Sequence, residues 1–168
     1  GEMKKLFCIL LVSGMLVTSC SKISDGEKGE KYYENGDFKN AEKYLLKAIE
    51  KDKKDVIAMN YLGTLNAKQN KKDLAEKYWK LALENGNYIS AGNLGMFYIK
   101  NGNEELGVKM LETAIENKEE SNQAAYNLGL YYYREKRYVL AKKYLKMAVE
   151  NGNEEAKDPL KDIEDTRP

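Results

Sequence analysis

The chain contains no histidine, only two prolines and only two cysteines in 168 residues. Without an imidazole, the usual general base for a serine or cysteine nucleophile is missing, and so is the commonest metal ligand. Cys8 and Cys20 both fall in the first twenty residues, so no disulfide framework is available to the rest of the chain. An excess of one charge is lacking as well: 28 basic residues face 27 acidic ones, a formal net charge of +1. That balance argues against a large nucleic-acid-binding patch. Neither Gly-x-Gly-x-x-Gly nor a P-loop pattern occurs, and no segment reads as a strand. Carboxylate pairs such as Glu104-Glu105 and Glu119-Glu120 have no cleft to raise one pKa, so glycosidase chemistry is unsupported. No cofactor, no metal and no enzymatic activity are expected. What remains is 42% hydrophobic and 33% charged with a mean hydropathy of −0.70, the composition of a well-solvated, helix-rich domain.

The N-terminal segment reads as a targeting signal. Lys4-Lys5 precede an apolar stretch from Leu6 to Val17. At about 20 residues needed to span a bilayer, that stretch is too short for a stable transmembrane helix and fits a signal-peptide core. It ends in Val17-Thr18-Ser19-Cys20, which resembles the lipobox of bacterial lipoproteins. The resemblance implies cleavage before Cys20 and acylation of that cysteine. The expected organisation is a signal peptide over 1–19, with Gly1-Glu2 a vector or upstream remnant before Met3. A lipidated tether over 20–27 and a repeat domain over 28–168 follow. Loss of Glu2, Lys4 and Lys5 would leave basic and acidic residues equal in number. Attachment would therefore come from acyl chains, each buried methylene contributing about 0.8 kcal/mol. Ser21 after the cysteine implies, by the same resemblance, the outer membrane in a host with two membranes. A seven-residue linker from Ser21 to Glu27 reaches at most about 25 Å, so the domain stays near the membrane.

Beyond Ile23 the sequence repeats itself. Ala48, Ala82, Ala114 and Ala148 are spaced by 34, 32 and 34 residues, and Ala41, Ala75, Gly107 and Ala141 stand seven positions before them. Leu62-Gly63, Leu94-Gly95 and Leu128-Gly129 recur with the same spacing; the first unit keeps Gly29 alone. Larger apolar columns lie between: Leu45, Trp79, Leu111 and Leu145, then Ile49, Leu83, Ile115 and Val149. Separations of three and four place each set on one helical face. The pattern predicts two amphipathic helices per unit, a first carrying Leu-Gly and a second carrying the paired small residues, in units of about 22–55, 56–87, 88–121 and 122–153. Asn35-Gly36 and Asn101-Gly102 predict turns within units, and Asn85-Gly86 and Asn151-Gly152 turns after them. Ala156, Leu160 and Ile163 predict a short capping helix begun at Asp158-Pro159.

These columns, together with Tyr32, Tyr98 and Tyr132 three residues after the Leu-Gly glycines, resemble the tetratricopeptide repeat family over roughly 130 residues. Segments such as Asn93-Leu-Gly are also similar to the related Sel-one-like repeats. The usual turn proline of the family is missing. The resemblance implies an all-α, right-handed α-solenoid of four helix-turn-helix units with a C-terminal cap, whose inner wall holds a partner peptide or helix. The wall residues expected here are Asn60, Thr64 and Lys68, then Asn93, Met96 and Lys100, then Tyr126, Asn127, Leu130, Tyr133 and Arg134. Lys68, Lys100 and Arg134 form a basic ladder that suits an acidic or carboxylate-ended peptide with apolar anchors. The chaperone-binding carboxylate clamp is not reproduced, since only Asn93 and Asn127 fit its asparagine place. Columns Lys43, Lys77, Lys109, Lys143 and Glu50, Glu84, Glu116, Glu150 read as solvated surface, and most of the thirteen tyrosines as packing residues. The expected function is a non-catalytic interaction module or assembly scaffold at the bacterial envelope, with a protein partner, a lipid anchor at Cys20, no nucleic acid, and self-association open. The alternative is a lipoprotein that stacks tyrosines on a cell-wall or surface glycan.

Overall fold

The computed structural model describes residues 23–117 and 121–166, and all regular structure among them is helical. Helices α1 (Asp25–Glu34) and α2 (Phe38–Lys51) form a first hairpin, α3 (Val56–Lys68) and α4 (Lys72–Glu84) a second, α5 (Ile89–Lys100) and α6 (Glu104–Glu116) a third, and α7 (Ser121–Arg134) and α8 (Tyr138–Glu150) a fourth. A 3-10 turn (Glu154–Ala156) leads into α9 (Lys157–Thr166), which packs on α8. Each hairpin touches the next through its first helix, α1 on α3, α3 on α5 and α5 on α7, as well as through the helix between them. This is the stacked solenoid the period predicts. Among the described residues no helix is long and apolar enough to cross a membrane.

The small-residue columns are small because the helices of a hairpin cross closely. A Cβ on Gly95 would lie 2.6 Å from Leu111 Cγ and 2.9 Å from the Gly107 carbonyl oxygen. A Cβ on Gly129 would lie 2.8 Å from Leu145 Cγ, and one on Gly29 2.5 Å from Leu45 Cγ. The first helix thus offers a notch into which the leucine of the second helix inserts. Ala41, Ala75, Ala141, Ala82 and Ala148 are fully buried at the same crossings. The Lys and Glu columns are exposed throughout.

Turns and caps follow local chemistry. Gly36, Gly86, Gly102 and Gly152 adopt φ between 77° and 93°, the left-handed region that the Asn-Gly pairs predict. The two remaining within-unit turns use non-glycine residues in the same region, Asn70 at φ 59° and Lys136 at φ 58°. Asp37, Asp55 and Asn103 cap α2, α3 and α6, each accepting from a backbone N–H three residues on. Two helix starts differ from expectation. Ser24 and Glu27 make a reciprocal capping box, so α1 begins at Asp25, inside the stretch read as tether. At the other end, the Asn153 side chain accepts from the Ala156 N–H and starts the 3-10 turn, so α9 is under way before Pro159.

Candidate functional site

The groove is built from the C-terminal half of α3, the start of α4 and most of α5, with Arg134 reaching in from the end of α7. It encloses about 830 Å³. Its floor is apolar: Met96, Phe97 and Ile99 of α5 meet Trp79 of α4 and Ala67 of α3. The Trp79 and Phe97 rings pack edge to face, centroids 5.8 Å apart. Its edge is cationic. Lys68, Lys72, Lys100 and Arg134 line it, and no carboxylate does.

That charge separation has a structural cause. Glu76 faces the outer side of α4, where Lys80 pairs with it at 2.6 Å and the Tyr98 hydroxyl donates to it at 2.6 Å. The Lys80 hydrogen bond, then that of Tyr98, holds the Glu76 carboxyl below the usual range. Burial, reinforced by Glu76, pushes the Tyr98 phenol up. Glu76 is thus engaged by Lys80 and Tyr98 and does not line the groove. Within the groove Lys72 donates to Asn101 Oδ1 at 2.5 Å, and Lys68 sits 5.8 Å from the centroids of Tyr33 and Phe38. The Lys100 and Arg134 side chains make no ion pair or hydrogen bond among the described residues, which leaves two cations available to an incoming anion.

Thr64, Lys68, Asn93, Met96, Lys100 and Arg134 line this groove together. The other expected wall residues lie elsewhere. Asn60 is an inter-unit tie: its side-chain oxygen accepts from Ser90 Oγ and from Asn93 Nδ2, both at 2.9 Å. Asn127 accepts from Gln123 Nε2 at 3.3 Å and lines a cleft of about 70 Å³ between the starts of α5 and α7. Tyr126 and Leu130 are half-buried against the core of the last two units. Tyr133 donates to Asp162 Oδ2 on α9, 2.5 Å away, and packs edge-on to Tyr138. Cys20 lies outside the described residues.

Trp79, Phe97 and Lys72 were missed from the sequence. Trp79 stands in the core column of leucines, and it is 95% buried as that column requires. Its part in the groove floor comes from its size beyond leucine. Phe97 precedes Tyr98 and falls outside the repeated columns that mark a helical face.

The model of the tetratricopeptide repeat matches residues 27–88 and 93–156. The chain belongs to the tetratricopeptide repeat family. No curated protein matches it in sequence. Among solved structures it resembles PilF of Pseudomonas aeruginosa at 23% identity and TM-score 0.70, over 76% of this chain and 60% of that one. It also resembles PilW, a widely conserved type IV pilus biogenesis factor, at 18% identity and TM-score 0.66, over 74% and 59%. MamA is similar at 25% identity and TM-score 0.63, over 77% of each chain. The repeat chain described here therefore spans about three-fifths of the length of PilF and of PilW. These likenesses establish the repeat-solenoid fold.

Proposed function

We propose that this chain is a non-catalytic assembly scaffold that holds an extended segment or helix of a protein partner in the groove between α3, α4 and α5. One observation carries the reading: an apolar floor of Trp79, Phe97 and Met96 is rimmed by four cations without a lining carboxylate. An acidic segment with one aromatic or branched aliphatic side chain matches both features, the side chain for the floor and the carboxylates for Lys100 and Arg134. A basic, apolar groove favours peptide over sugar, since its rings pack against one another instead of presenting open faces for stacking. Catalysis has no support in this family or in the groove. The lipobox supports acylation at Cys20 and a place in the bacterial envelope, and the likeness to PilW supports an assembly role there.

Two experiments test these parts separately. Palmitate labelling of the full chain is expected to vanish in Cys20→Ala; labelling that persists contradicts the anchor. A photoreactive amino acid at position 96 is expected to capture a protein in cells, whereas one at position 109, on the outer face, is not. Equal capture from both positions contradicts the groove.

A further inference from the structure

The edge of the solenoid that carries the start of α1 has a feature the groove does not use. Asp25, in the first turn of α1, pairs with Lys51 at the end of α2 and with Lys47 at 3.5 Å, and a Cβ on Gly26 would lie 2.8 Å from Asp55 Oδ2. The start of α1 therefore sits on the turn between α2 and α3. The turns between successive units all lie on this edge, because the first helices of the units run side by side in the same direction. At the last of them Asn151 donates to Ser121 Oγ at 2.9 Å.

On this edge one apolar residue recurs. Ile23, Ile57 and Ile89 each stand six residues before the notch glycines Gly29, Gly63 and Gly95; Ile23 lies just before the Ser24 cap of α1, Ile57 and Ile89 in the first turns of α3 and α5, and the fourth unit has Gln123. They are 45%, 53% and 43% exposed, and Tyr88 beside Ile89 is 37% exposed. No core packing accounts for isoleucine at a solvent-facing register position. The opposite edge has exposed Phe38, Leu74 and Val139, but none of those positions repeats as an exposed apolar residue in another unit. Charge on the isoleucine edge is mixed: Lys53 and Lys54 are exposed, and so are Asp52 and the helix-ending Glu84, Glu116 and Glu150.

We infer that the Ile23, Ile57 and Ile89 edge rests on the lipid bilayer surface. The inference rests on the anchor proposed above. Cys20 precedes Ile23 by three positions, and at about 3.5 Å each an acylated cysteine is held within about 10 Å of this edge. Apolar side chains beside a tyrosine insert into the boundary between headgroups and acyl chains. With mixed charge the contact is apolar, so it needs no anionic lipid. The first helices then stand along the membrane normal, and the groove opens parallel to the membrane.

The acylated full chain is reconstituted on phosphatidylcholine vesicles, and its flotation and its amide hydrogen exchange are measured. Flotation is expected, with exchange severalfold slower over 56–60 and 88–92 and unchanged at the opposite turns over 69–72 and 135–138. Ile57→Gln/Ile89→Gln, which copies the residue of the fourth unit, is expected to float equally and to lose that protection. A chain that floats without protection at this edge, or keeps it in the double variant, overturns the inference and leaves the anchor standing. A chain that does not float overturns both. Protection that arises without vesicles and grows with protein concentration assigns the edge to a second copy and overturns the inference too.

Discussion

Lys136 is a residue in a glycine's conformation. At φ 58° its Cβ crowds the following carbonyl, a cost that glycine escapes. Lys136→Gly is therefore expected to raise the unfolding free energy by about 0.5–1 kcal/mol, the backbone relief exceeding the extra entropy of the unfolded chain. Urea denaturation measures it, and a loss of stability contradicts the assignment. Tyr131 and Tyr144 carry a different signature. Burial, then the hydrogen bond to Glu104, pushes the Tyr131 phenol up to about 12; burial, then the Glu112 charge, does the same for Tyr144. In the unfolded chain a tyrosine ionises near pH 10. Between these values the native state holds protons that the unfolded state has released. The stability they contribute is complete below about pH 10 and is lost as pH rises towards 12. Thermal unfolding followed over that range should show a shallower fall for Tyr131→Phe than for the parent chain, and identical slopes would contradict the shift.

Among the helix pairs, α3 and α4 break the pattern together. Gly29, Gly95 and Gly129 are each followed three residues on by a tyrosine and matched by a leucine from the second helix; Gly63 is followed by Asn66 and matched by Trp79. A Cβ on Gly63 would lie 2.5 Å from Trp79 Cδ1, so the indole fills the notch that a leucine fills elsewhere. An exchange of volume between the smaller Asn66 and the larger Trp79 is expected from these two departures. The exchange leaves Asn66 Oδ1 and Trp79 Nε1 buried without a hydrogen-bond partner among the described residues. Trp79→Leu alone is expected to cost about 2 kcal/mol or more through the void it opens, and Asn66→Tyr alone about 1–3 kcal/mol through overpacking. The double variant restores the arrangement of the other units, so the two effects should fall short of adding by about 1 kcal/mol or more in a double-mutant cycle. Strict additivity would contradict the compensation.

The same pair explains what the sequence could and could not disclose. Period, hairpin order and core columns were legible because a close crossing accepts only small residues whatever surrounds it: Gly95 and Gly107 each stand where a Cβ would come within 3 Å of the other's carbonyl oxygen. Asn-Gly turns were legible for the same steric reason, whereas Lys136 gave no such sign. The groove was legible as one polar column along the first helices, which brought in Lys68, Lys100 and Arg134. Its floor was not, because Trp79 stands in a column that is buried leucine in the other units. The bonds of Tyr133 and Asn60 were not legible either, since their partners Asp162 and Ser90 lie about thirty residues away.

For the molecule as a whole, a nearly neutral chain carries one groove lined by cations alone. Carboxylates such as Glu76 pair on the outer side, and Lys68, Lys72, Lys100 and Arg134 face the groove. Sorting of that kind governs which partner docks and how salt weakens it. The central claim is that this basic, apolar groove is the working surface. The most direct measurement is the affinity of the partner captured from position 96, for the parent chain, for Lys100→Glu/Arg134→Glu, and for the outer-face control Lys43→Glu/Lys109→Glu. Binding at least about tenfold weaker, or about 1.4 kcal/mol, is expected for the groove variant, with the control unchanged. Equal affinity across all three would contradict it.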